Sequence, residues 1–231
     1  MDVAVDVVMA SAPLGRQDLW GEPRRAANID APQVECDPGH GPSRVRGVGM
    51  IAFNTYRLTE VLQTVTALLA IVALGVALMT LAAMVVPAAA AWRSIIIEWR
   101  STITLGIAAV STAGSLYFSE VANYVPCTLC WYQRIAMYPI VVVAAVALWR
   151  NIESRVTVAW LSSLGAVVAG YHTIIEWQPD LDAGVCSASG PACTDVWFRS
   201  LGFATLASMA LIAFVTMLVV NLLPDGATTD D

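Results

Sequence analysis

Five long stretches with almost no charged side chains restrict the fold of this sequence more than any motif does. Residues 61–91, 101–119, 156–175 and 200–224 hold no Asp, Glu, Lys or Arg, and residues 131–149 hold only Arg134. About 20 apolar residues cross a hydrocarbon core of about 30 Å as a helix. Lipid offers the backbone no hydrogen-bond partner, so segments of this length span it only as helices. The composition agrees. The chain is 58% hydrophobic and 13% charged, too apolar for an ordinary soluble domain. The sequence therefore predicts an all-α integral membrane protein with five transmembrane helices. Its formal net charge of −6 argues against nucleic acid as a partner.

Arginine sets the expected orientation. The connectors 92–100 and 150–155 carry Arg93, Arg100, Arg150 and Arg155, whereas the loop 120–130 has no Arg and the loop 176–199 has only Arg199. Short arginine-bearing connectors stay in the cytoplasm. Both remaining loops are then extracytoplasmic, and the acidic tail 225–231 is inside. An odd number of spans puts residues 1–60 outside, although they hold six Arg. This segment has no signal-peptide pattern. Its Pro, Gly and charge content, without periodicity, predicts disorder. Met50 opens "MIAFNTYRLTEVLQTV", which offers a second possible start of translation. Cys36 and His40 are too few ligands for a metal site. The span 61–91, rich in small residues, reads as an anchor suited to close helix packing.

The other four cysteines form two pairs, one in each outer loop. Cys127 and Cys130 lie in "VPCTLCWYQRIAMYP", and Cys186 and Cys193 in "VCSASGPACTD". The Ser, Gly and Pro of the second loop give a bend that lets its pair close a small disulfide. Two inert disulfides could staple the loops, and four cysteines could hold zinc. A short CxxC disulfide, however, is strained and easily reduced, a poor staple. Neither alternative accounts for Arg134. Few ionisable residues lie deep in the spans, which counts against an ion transporter.

Arg134 follows Cys130 by one helical turn on the same face. A helix starting near Trp131 would place Cys130 at its N-terminus, where partial positive charge favours a thiolate. A charge inside a membrane is costly and marks a ligand or a pathway, unless the side chain snorkels to the headgroups. By rise per residue, Arg134 lies roughly 5 Å below the start of its span and His172 roughly 7 Å below the end of its own. On neighbouring helices the two are level. Together they suggest a pocket at the outer boundary for a membrane-soluble carbonyl compound that takes electrons, a quinone. A hydrogen-bonded interfacial histidine is the plainer reading of His172.

"PCTLCWYQRIAMYP", "YHTIIEWQPDLDAGVC" and "ACTDVWFRSLGFATL" closely resemble the DsbB family of disulfide bond formation proteins over residues 101–224. The resemblance implies a four-helix transmembrane core with residues 61–91 as an additional helix. It also implies an enzyme of the cytoplasmic membrane, a protein-disulfide:quinone oxidoreductase. Such an enzyme reoxidises a DsbA-like thioredoxin-fold thiol oxidase and passes the electrons to a quinone of the ubiquinone or menaquinone type. By matching position, Cys186 would take the attack of the reduced partner, Cys193 would exchange with Cys127, and Cys130 would face the quinone. Arg134 would hold a quinone oxygen, and His172 would line the same pocket. Vitamin K epoxide reductases share a similar four-helix plan but fit the cysteine positions less well. Two features depart from the family pattern besides the additional helix. The gap between Cys186 and Cys193 is short, and residues 1–49 have no counterpart.

Overall fold

The structure, a computed structural model, describes residues 45–182 and 191–224. Each uncharged stretch forms a helix. These are α1 (Val45–Val85), α2 (Ala90–Glu120), α3 (Thr128–Arg150), α4 (Arg155–Trp177) and α5 (Leu206–Leu222), with single 3-10 turns at Pro87–Ala89 and Pro179–Leu181. Among the described residues there is no strand, only the isolated bridge Ser200–Ala204. Part of α1 (Tyr56–Val85) and all of α2, α3 and α4 are long and apolar enough to cross a membrane, while α5 has 17 residues. At 1.5 Å per residue α5 is about 25 Å long, a little short of a full hydrocarbon core. The result is the expected all-α membrane bundle, a multi-pass architecture.

Several boundaries differ from the sequence expectation. The first helix ends at Val85 rather than residue 91, because Pro87 has no N–H to donate and disfavours helical backbone at Val86. It also begins at Val45, so residues 45–60, expected to be unstructured, are helical. The stretch 92–100, expected as a loop, forms the opening turns of α2. That helix, about 46 Å long for its 31 residues, exceeds the core and carries its arginines out of it. The last helix starts at Leu206, not Ser200. Leu201 (φ 54°) and Gly202 (φ 81°) are left-handed, which no right-handed helix accommodates, and Thr205 then caps α5 in a reciprocal capping box with Ser208. The expectations on residues 1–44, including Cys36 and His40, and on 225–231 fall outside the described residues.

The arginines that set the expected orientation close the C-terminus of α5. Arg100 Nη2 donates to the Leu223 carbonyl at 2.7 Å, Arg155 Nε to that of Asn221 at 3.1 Å, and Arg93 Nη2 to that of Pro224 at 3.4 Å. The last carbonyls of a helix have no partner within it, and cations there also oppose its dipole. These contacts gather the starts of α2 and α4 and the end of α5 at one end of the bundle. Cys127, Cys130 and Cys193 lie at the other.

The core between α2, α3, α4 and α5 holds Ala108, Met137, Ile140, Val158, Ala169, Phe214 and Met217. Large apolar side chains such as Leu68, Leu78, Val142, Leu164 and Val167 face outward. Helices that are apolar on every side are what a lipid solvent selects. α1 is more than an anchor. Gln63 Nε2 donates to the Tyr124 hydroxyl at 2.9 Å, the Thr59 and Tyr117 hydroxyls lie 3.1 Å apart, and Thr216 donates to the Ala73 carbonyl at 3.1 Å.

Candidate redox site

The thiol pair is built by the start of α3. Cys127 is the N-cap residue, with extended backbone (φ −74°, ψ 174°), and its Sγ accepts from the Cys130 N–H at 3.3 Å. The helix therefore starts at Thr128, three residues before the expected Trp131. This corrects the expected electrostatics, because the position that favours an anion belongs to Cys127 rather than Cys130. Both thiols are free, and the two sulfurs lie 2.9 Å apart. The Cys130 thiol hydrogen bond, reinforced by His172 and the Cys130 N–H, holds the Cys127 thiol well below its ordinary range.

His172 stands over Cys127. Its Nε2 lies 3.7 Å from Cys127 Sγ and 3.1 Å from the Cys193 carbonyl, and its Nδ1 lies 3.1 Å from Gln133 Nε2. The Gln133 amide can only donate through that nitrogen, so Nδ1 accepts and the imidazole proton sits on Nε2. That proton faces the Cys193 carbonyl and the Cys127 sulfur together. Glu176, one turn along α4, comes within 3.9 Å of Nε2 and accepts from the Thr205 hydroxyl at 2.6 Å. A chain of polar contacts thus runs from the N-cap of α5 through Glu176 and His172 to the sulfur at the N-cap of α3. His172 is not among the residues lining the cavity beside Arg134. Its ring is turned toward the Cys127 sulfur and the Cys193 carbonyl.

The two sulfurs face different surroundings. Cys127 packs with Leu129, Ile175 and Cys193 in a buried cluster. Cys193 is fully buried and disulfide-bonded. Cys186 lies outside the described residues, and so does the expected pairing of the second loop. Cys130 packs against the same cluster and, unlike Cys127, also lines a cavity of about 430 Å³, together with Gln133, Arg134 and Ser115. Arg134 is 9% exposed and does not snorkel to the surface. Its Nε donates to Ser115 Oγ and its Nη2 to the Ser115 carbonyl, both at 3.0 Å, and its guanidinium lies 5.1 Å from the Trp131 ring centre. Nη1 keeps no hydrogen-bond partner among the described residues. An arginine held by two bonds, with a donor to spare beside an apolar cavity, fits a carbonyl-bearing guest. The volume is that of a small-molecule site.

Cys127, Cys130 and His172 also bring three potential metal donors within 4.8 Å of one another. Two sulfurs on one tetrahedral zinc, at 2.3 Å each, would stand about 3.8 Å apart. In this structure the two sulfurs stand closer than that, in direct contact at 2.9 Å.

Sequence reasoning missed Gln133, Glu176, Thr205 and Ser115. Glu176 was open to it, since the spacing to His172 is i, i+4 on one helix face. Ser115 and Thr205 were not, because only the packing of α2 and α5 brings them in.

Comparison with known proteins gives the family. The family model described as "Disulfide bond formation protein DsbB" matches residues 98–224. A probable disulfide formation protein of Oceanobacillus iheyensis is 40% identical over 117 residues, covering 49% of this chain and 80% of that protein. Disulfide bond formation protein C of Bacillus subtilis is 33% identical over 126 residues, covering 54% and 91%. A probable disulfide formation protein of Metapseudomonas resinovorans is 31% identical over 151 residues, covering 62% and 96%. No solved structure matches. The chain belongs to the DsbB family of disulfide bond formation proteins, and is a multi-pass membrane oxidoreductase of disulfide bond formation.

Proposed function

We propose that this protein reoxidises a DsbA-like thioredoxin-fold thiol oxidase outside the cytoplasmic membrane and delivers the electrons to a membrane quinone. The observation that carries this reading is the division of the thiol pair. Cys127 is buried in one cluster with Cys193, and Cys130, at the edge of that cluster, alone of the pair lines the cavity with Arg134. Electrons arriving by exchange at Cys193 would meet Cys127 first, and Cys130 would be the sulfur at the acceptor. Cys186 would take the first attack of the reduced partner. Both loops would then face the extracytoplasmic side.

The residues have separable tasks in this account. Oxidation of the Cys127–Cys130 dithiol to a disulfide releases two electrons and two protons. A bound quinone supplies the acceptor for both. Arg134 orients an oxygen of the guest through its spare N–H and stabilises negative charge there. His172 favours the thiolate of Cys127, which thiol–disulfide exchange requires. The driving force is consistent, since a DsbA-type oxidase lies near about −120 mV and needs a more oxidising acceptor.

The test uses the purified full chain, a reduced thioredoxin-fold thiol oxidase and a quinone followed by absorbance. Quinone reduction is expected in the wild type. In Cys130→Ser it is expected to stop, while the partner still forms a mixed disulfide through Cys186. Full turnover in Cys130→Ser would remove the role given to Cys130.

A further inference from the structure

The matched family region begins at residue 98, so α1 lies outside it. Yet α1 contributes Thr66, Ala70, Ala73 and Val76 to the wall of the cavity that holds Cys130 and Arg134. This wall is fixed at several depths. Gln63 and Thr59 bond to Tyr124 and Tyr117 beside the thiol loop, and the Ala73 carbonyl accepts from Thr216 of α5. Between these levels Thr66 approaches Gly114 of α2, where an added Cβ would lie 3.9 Å from its methyl carbon.

The shape of the cavity gives this wall a purpose. On α2 its lining runs from Ile103 to Ser119, about 24 Å along the helix axis. Cys130, Gln133, Arg134, Ser115 and Tyr124 gather toward the end near Ser119, and Thr66, Ser111 and Tyr138 add hydroxyls farther along. The other end, between Val76 and Ile103, is apolar and merges with the cluster around Ile96, Val220 and Leu223. Gly106 lines the same cavity, and a Cβ added there meets nothing within 4 Å. Ala70, Ala73 and Gly106 leave room where larger side chains would fill it. A compact ring occupies only one end of such a space; a ring with an apolar chain occupies its length.

We propose that α1 forms the channel wall for the apolar tail of the electron acceptor. The head of a lipid quinone seats at Cys130 and Arg134, and its chain runs between α1 and α2 past Ala70, Ala73 and Gly106. The inference rests on the quinone reading above and adds a determinant of specificity that the matched family region does not contain.

The test compares two quinones with the same ring, one with a long isoprenoid tail and one without, on the full chain with a reduced thiol oxidase. Ala73→Leu and Gly106→Leu each place an isobutyl group in the tail's path. In both variants the KM for the tailed quinone is expected to rise about tenfold, the loss of roughly two buried methylenes. The KM for the tail-less quinone is expected to stay within about twofold, which on that same energy scale is a loss of less than one methylene. Leu68→Ala, on the exposed side of α1, is expected to change neither. An unchanged KM for the tailed quinone, or an equal rise for both quinones, would overturn the proposal. If Ala73→Leu does not fold, Gly106→Leu decides, because its new side chain enters open space. A wild-type chain that reduces neither quinone would overturn the quinone reading itself, a result distinct from the selective one.

Discussion

At the scale of single residues, Cys127 is the pivot. It caps α3, touches Cys130, faces the His172 proton and packs against Cys193. Its depressed pKa has a consequence of definite sign. The thiolate persists down to a pH well below the usual thiol value near about 8.5. The stability it lends the reduced protein is fully present above the unfolded thiol's pKa and is lost as pH falls through the lowered folded value. Followed by ultraviolet absorbance of the reduced protein, the first thiolate is expected to titrate far below an ordinary cysteine. His172→Ala is expected to move that midpoint upward, because it removes a donor to the sulfur. An unchanged midpoint would take His172 out of the thiolate's environment. Much of this site was legible in the sequence. CxxC, the arginine one turn on and a histidine at similar depth were all visible as spacing. Which cysteine carries the negative charge was not, because that depends on where the helix starts, and the sulfur that caps the helix displaces the start by three residues. Nor was the direction of the His172 ring, which Gln133 and the Cys193 carbonyl fix from two other elements.

At the scale of elements, the count and order of helices followed from uncharged runs alone, since lipid leaves the backbone no other arrangement. The ends of those helices did not. Pro87, the left-handed pair Leu201 and Gly202, and the capping box at Thr205 decide them. The hydropathy run that continues across Pro87 hides the first of these. The contact between α4 and α5 depends on a glycine that gave no sequence signal. A Cβ on Gly165 would collide with one edge of the Phe214 ring, which is fully buried. The ring cannot withdraw without opening the core. Gly165→Ala is therefore expected to cost about 1–3 kcal/mol as overpacking, seen as a lower Tm of the detergent-purified protein. A Tm equal to that of the wild type would mean that the two helices are not in this close contact. The same helices carry His172, Glu176 and Thr205, so loss of this packing would also loosen the chain of contacts behind Cys127.

At the scale of the whole molecule, the bundle keeps its two ends apart. One end holds the arginines that close α5, and the other holds the thiols, the aromatic stack of Tyr124 on Trp197 at 4.9 Å, and the Cys130 and Arg134 end of the cavity. The additional helix joins both the thiol loop and the cavity wall, a role its plain apolar sequence did not disclose. The central claim is that the Cys127–Cys130 dithiol is a carrier of electrons into the membrane rather than a staple or a metal ligand. The most direct measurement is a single turnover. The purified protein is treated with mild reductant until Cys127 and Cys130 are thiols, freed of reductant, and mixed with one equivalent of quinone. The expected result is one equivalent of hydroquinone by absorbance and, by peptide mass spectrometry, one new disulfide between Cys127 and Cys130. A quinone that stays oxidised beside a reduced pair, or a pair that mild reductant cannot open, would contradict it.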